Sequence, residues 1–137
     1  EYVLKLPVEG MLWEEVADLL YEQFGHYHWV HTINNAALTV AALLHGQGDY
    51  EKTITNAVMG GWDTDCNGAT SGSIVGVLIG AKALPPKWID PLKNQVRSSL
   101  GGFDNSTFSD LASRTQAMAV GIRADQDQSS HTSLDDF

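Results

Sequence analysis

Basic residues are scarce in this chain. Eight Lys and Arg stand against seventeen Asp and Glu in 137 residues, a net charge of −9. That balance excludes the phosphate-binding footprint of a nucleic-acid protein and a basic face for an anionic membrane. Cysteine is scarcer still. Cys66 is the single one, so no disulfide framework forms within the chain, and a cytoplasmic location is the expectation. Long apolar runs are missing. The longest, Ile74 to Ala81, falls well short of the ~20 residues needed to span a bilayer. The opening Glu1-Tyr2-Val3-Leu4 has no basic region followed by an apolar one, so it does not read as a signal peptide. Nor does it carry an initiator Met. A short apolar run followed by Pro7 and Gly10 reads as the inside of a domain, and the chain is expected to be a fragment, a processed product or one of two subunits. No segment alternates apolar and polar residues as a half-buried strand would.

What is present is helical periodicity. With 43 % hydrophobic residues the chain can build a core. Leu12, Val16, Leu19, Leu20 and Phe24 fall near one face of a helix over residues 12–24, opposite Glu14, Glu15, Asp18 and Glu22, and Gly25 stops it. An aromatic, His-rich linker covers residues 26–30. Thr32 or Asn34 can cap a second helix, ended by Gly46-Gln47-Gly48. Asp49 can cap a third, running to about Met59. A fourth is predicted over 67–84, where Gly68, Gly72, Gly76 and Gly80 recur at every fourth position. Interior glycines cost about 1 kcal/mol each against Ala, so another helix is expected to pack closely on that stripe. Pro85-Pro86 stops it. A fifth helix is predicted over 88–100 and a sixth over 110–124, with a polar acidic tail at 125–137. The fold class is all-α.

The chemistry concentrates in Gly60-Gly61-Trp62-Asp63-Thr64-Asp65-Cys66-Asn67-Gly68. Two carboxylates sit two residues apart in a glycine-rich turn, and no Lys, Arg or His occurs from Thr53 to Ala81. Like charges 4 Å apart repel by roughly 1 kcal/mol in water and by about 4 at an effective dielectric near 20. A bound cation removes that penalty. Carboxylate, hydroxyl and carbonyl oxygens suit Mg²⁺, Ca²⁺ or Mn²⁺. The blander alternative is a helix N-cap, a position Asp favours. A cap needs one Asp, however, and neither a second nor the glycines and Trp around it. An EF-hand loop matches only its first half, because its twelfth position, where a bidentate acid belongs, is Ile74.

Other residues carry weaker signals. His26, His28 and His31 form a His-x-His-x-x-His cluster, but the spacing matches no closed zinc site. His45 and His131 read as surface residues. Cys66 could be a thiolate at a helix N-terminus, although Asp63 and Asp65 would raise its pKa. Asn34 and Asn35, next to His31, either cap the second helix or bind ligand hydroxyls.

The segment from Gly60 to Ser73, with His31-Thr32-Ile33-Asn34-Asn35-Ala36-Ala37 before it and Leu84-Pro85-Pro86-Lys87-Trp88 after it, resembles the C-terminal half of the ADP-ribosylglycohydrolase family. The likeness covers roughly residues 1 to 115. It implies an all-α orthogonal bundle over 1–124, incomplete in this chain, and an enzyme that uses two Mg²⁺ ions to hydrolyse the bond between ADP-ribose and a protein side chain or a further ADP-ribose unit. Carried over residue by residue, Asp63 and Asp65 are metal ligands. Cys66 occupies a ligand position that is usually Thr or Ser. His31, Asn34, Asn35, Trp62 and Thr64 are the residues expected to line the ribose or adenine pocket. The family's first motif, a Thr-Asp-Asp run, and an upstream Glu do not appear in this sequence, and Asp135-Asp136 lies in a different context. The resemblance therefore implies a complementary N-terminal segment or second chain as partner. The alternative is a non-catalytic module that binds ADP-ribose or a metal without turnover.

Overall fold

The computed structural model describes residues 1–131. Its residues group into two compact units, one over Glu1–Pro85 and one beginning at Pro86. The all-α expectation holds. Six α-helices and a two-stranded ladder form the described residues, and none of these helices is long and apolar enough to cross a membrane.

The first unit opens with two short 3₁₀ turns, Val3–Lys5 and Val8–Gly10. They bury Val3 and Val8 against Val16, Leu20, Leu38 and Ala41. Helix α1, Trp13–Phe24, begins where Glu15 Oε2 accepts the Leu12 N–H at 3.0 Å and ends at Gly25, as its sequence predicts. Helix α2 covers Thr32–Gly46. Neither Thr32 nor Asn34 caps it: His31 does, its Nδ1 accepting the Ile33 N–H at 3.2 Å. Helix α3, Tyr50–Met59, has the expected Asp49 cap, whose Oδ1 accepts the Lys52 N–H at 2.7 Å.

His45 is not a surface residue. It is buried on α2, where Nε2 donates to the Met11 carbonyl at 3.0 Å and Nδ1 accepts from Asn56 Nδ2 at 2.8 Å. The two partners fix these roles, since a carbonyl can only accept and an amide N–H₂ can only donate. One ring thus ties the N-terminal segment, α2 and α3 together.

Helix α4, Thr64–Ile79, starts three residues earlier and stops five residues sooner than its periodicity suggests. Gly80, with φ 78°, is its C-cap and lies outside the helical stripe. The remaining glycines do accept a neighbour. A Cβ on Gly68 would lie 3.0 Å from Val58 Cγ2, one on Gly72 3.1 Å from Ile54 Cδ1, and one on Gly76 3.7 Å from Tyr50 Cε2. Tyr50, Ile54 and Val58 recur at every fourth position of α3, so a ridge of that helix lies in the glycine groove of α4.

In the second unit the predicted fifth helix is replaced. A four-residue helix α5, Pro86–Ile89, leads to a 3₁₀ turn at Asp90–Leu92. Lys93 and Asn94 then take left-handed backbone, φ 49° and 55°, which ends helical propagation. Strand β1, Gln95–Val96, pairs antiparallel with β2, Ser106–Thr107. The loop between them is closed by Arg97, whose Nε and Nη2 donate to the two Asp104 carboxylate oxygens at 2.8 and 3.0 Å. Helix α6 spans Phe108–His131, beyond the predicted end at Ala124. The rest of the expected tail, 132–137, lies outside the described residues.

Candidate metal centre

The turn between α3 and α4 is shaped by left-handed backbone. Gly61 has φ 83° and Trp62 φ 53°. A side chain on Gly61 would be strained there and would also overlap the Tyr21 hydroxyl. Trp62 is not a glycine, and αL geometry is unfavourable for a bulky residue. Its ring stacks on Tyr21 of α1, centroids 4.5 Å apart and planes inclined by 28°, a contact that helps offset the backbone cost.

Asp63 then occupies the N-cap position of α4 but makes no side-chain capping bond. The blander reading of this residue therefore fails on geometry. Its backbone N–H is taken by the side chain of Asn35, Oδ1 accepting at 3.1 Å. Among the described residues, Asp63, Asp65 and Cys66 are the group of acidic, His or Cys side chains placed to hold an ion, with potential ligand atoms all within 4.8 Å of one another. No salt bridge among the described residues reaches either carboxylate. The charge argument from the sequence thus carries into three dimensions.

Cys66 is exposed. Its hydrogen bond to Asp63, then the charges of Asp63 and Asp65, push the thiol up from its ordinary value. A protonated thiol is a poor ligand for a hard cation. The donor set accordingly fits Mg²⁺ or Mn²⁺ through Asp63 and Asp65, and does not fit it through Cys66 as the sulfur stands. Thr64 opens α4 between the two carboxylates and is half-buried.

The structure brings Asn35, Trp62, Asp63, Thr64, Asp65 and Cys66 into one neighbourhood. His31 joins it through its backbone, since its carbonyl accepts from Asn35 Nδ2 at 2.8 Å. Its ring is exposed and stacks on Tyr27, 4.6 Å between centroids. Asn34 lies fully buried, its Nδ2 donating to the His28 carbonyl at 3.3 Å. His26, His28 and His31 join no metal-holding group among the described residues.

Two residues that shape the site carried little sequence signal. Asn67, 3 % exposed, donates through Nδ2 to Asn35 Oδ1 at 2.8 Å and, more weakly, to the Gly61 carbonyl at 3.5 Å. A buried amide four residues after Asp63 in a helix of small residues is the cue that would have found it. Tyr21 looks like any exposed aromatic on α1 until Trp62 is placed over it.

Searches of curated proteins and of solved structures return no significant match. The family model for ADP-ribosylglycohydrolase matches residues 4–125. That span takes in both the helices that hold the acidic turn and the turn itself, and the chain belongs to the ADP-ribosylglycohydrolase family.

Proposed function

We propose that the chain contributes one wall of a Mg²⁺ site that hydrolyses an ADP-ribosyl glycosidic bond. The family's chemistry, hydrolysis of ADP-ribose linkages, gives the reaction class. The observation that carries the reading is Asp63: a residue at an N-cap whose carboxylate makes no capping bond and is set beside Asp65, with Asn35 accepting its backbone N–H.

Asp63 and Asp65 hold the cation. Mg²⁺, two ions in the complete site, supplies charge neutralisation and polarisation of ribose oxygens when bound. The carboxylates also present negative charge to a glycosidic carbon that becomes oxocarbenium-like as its bond breaks. Thr64, Trp62 and His31 face the ribosyl and adenine portions in this reading, while Asn34 and Asn35 support them. Two carboxylates are too few for a pair of divalent ions. The remaining acidic ligands and the general base come from a complementary segment or second chain, with residues 1–124 as the C-terminal part of the shared domain in a cytoplasmic protein.

The test is release of ADP-ribose from an ADP-ribosylated protein in Mg²⁺, by the full chain alone and mixed with its complementary segment. Release by the mixture, lost with Asp63→Asn, is the expected result. No release from a folded mixture overturns the catalytic reading. A second reading, binding without turnover, is favoured by Cys66, whose protonated sulfur sits where a hydroxyl would serve Mg²⁺ better. Tight calorimetric binding of ADP-ribose with no hydrolysis by the mixture would establish it.

A further inference from the structure

We propose that Asn35 is a positioning residue for the Asp63–Asp65 site, acting through the backbone of Asp63 and through Asn67, and does not bind ligand directly. This rests on the metal-site reading above. A primary amide has two N–H donors and two acceptor lone pairs, and all four are engaged here. Nδ2 donates to the Trp29 carbonyl and to the His31 carbonyl, both at 2.8 Å. Oδ1 accepts from the Asp63 N–H at 3.1 Å and from Asn67 Nδ2 at 2.8 Å. The orientation of the amide is fixed by its partners, since two carbonyls can only accept and a backbone N–H can only donate.

No hydrogen-bonding capacity is left for a substrate hydroxyl. A ligand contact would require one of these four bonds to break. The partners also identify what Asn35 does. They come from three separate places: the loop before α2, the start of the acidic turn and the first turn of α4. One side chain therefore sets the distance between the loop carrying Trp29 and His31 and the turn carrying the carboxylates.

It also supplies the bond that a capping box takes from its N3 side chain, since the N–H it accepts is that of the N-cap residue itself. With Asn35 holding the Asp63 N–H, the backbone that carries the Asp63 carboxylate is fixed at the start of α4. Remove the Asn35 amide and the Asp63 N–H and Asn67 Nδ2 lose their shared acceptor, so the turn that sets the Asp63 carboxylate beside Asp65 is held less firmly. Outer-shell partners of this kind typically change metal affinity 10–100-fold.

The experiment is Mn²⁺ binding by the full chain, followed by the loss of the free-ion electron paramagnetic resonance signal. Wild type, Asn35→Ala, Asn67→Ala and the double variant are compared, with thermal melts on each. Asn56→Ala, which disturbs the His45 network away from the turn, serves as the control for general destabilisation. The expected result is a Kd raised about tenfold or more by Asn35→Ala, a smaller rise for Asn67→Ala, and a double variant no worse than Asn35→Ala alone, because the two act through one shared bond. Asn56→Ala lowers Tm and leaves Kd unchanged. If Asn35→Ala fails to fold, Asn67→Ala alone decides, and an unchanged Kd overturns the proposal. Unchanged Mn²⁺ binding by a folded Asn35→Ala, with binding lost in Asp63→Asn, overturns the positioning role while leaving the metal site intact. Because Asp63 and Asp65 are only part of the ligand set, Mn²⁺ is titrated to millimolar concentration, and failure of the wild type to bind even there overturns both.

Discussion

Replacing the α4 glycines by alanine one at a time should give a graded series, because α3 approaches them unequally. Alanine is about 1 kcal/mol better than glycine in a helix interior. Set against that gain is whatever the new methyl meets. On Gly76 it meets only ordinary contacts, 3.7 Å to Tyr50 Cε2 and 4.0 Å to Leu84 Cδ2, so Gly76→Ala should stabilise by about 0.5–1 kcal/mol. On Gly72 it lies 3.1 Å from Ile54 Cδ1, the far end of a side chain that can shift slightly, and gain and strain should nearly cancel. On Gly68 it lies 3.0 Å from Val58 Cγ2, a methyl on a stiff β-branched residue, and the net effect should be destabilising by several tenths of a kcal/mol or more. Gly72→Val, with two further methyls, should cost about 1–3 kcal/mol from overpacking, in addition to its poorer helix propensity. Urea denaturation of the four variants measures the series. If Gly76→Ala destabilises as much as Gly68→Ala, the Tyr50–Ile54–Val58 ridge does not lie in the groove. A tolerated Gly72→Val would refute the close approach as well.

Two further outcomes follow from the side chains around the turn and the hairpin. Cys66→Ser should weaken binding of thiophilic Cd²⁺ by at least tenfold while leaving Mn²⁺ affinity equal or tighter, since a hydroxyl is the harder donor; an unchanged Cd²⁺ Kd would show that the sulfur lies off the site. Asp104 has its pKa lowered by the Arg97 guanidinium and then by the Ser98 N–H, so its contribution is present above the unfolded value of about 3.9 and lost as pH falls through the lower folded value. Melts of Asp104→Asn should therefore differ from wild type at neutral pH and converge with it on acidification toward pH 2, and a gap that persists there would contradict the ion-pair origin.

The sequence made legible those parts of the fold that are specified locally. Asp49 lies next to the helix it caps, Gly25 ends the helix it follows, and the glycine period of α4 announces a neighbour. The fifth helix failed for the same reason in reverse. Residues 88–100 contain helix-compatible side chains, but Lys93 and Asn94 adopt left-handed backbone, and the Arg97–Asp104 pair closes a hairpin that no periodicity displays. In the site, Asp63 and Asp65 were visible because their charges are adjacent and unopposed along the chain. Asn35 reaches Asp63 across 28 residues and Asn67 across 32, and such pairings leave no local trace. His45 was misplaced because a His near a helix end usually faces water, whereas here Met11 and Asn56 arrive from distant segments to satisfy it.

That buried ring has a practical consequence. With Nε2 carrying the proton toward Met11 and Nδ1 facing Asn56, His45 is held in a single tautomer, whose two ring nitrogens give well-separated ¹⁵N resonances. Its four companions include three in the exposed linker loop. The His45 signals thus form an internal spectroscopic standard for the packing of α2 on α3. A ligand or metal that perturbs the loop histidines but not His45 acts at the site, and one that moves both has altered the fold.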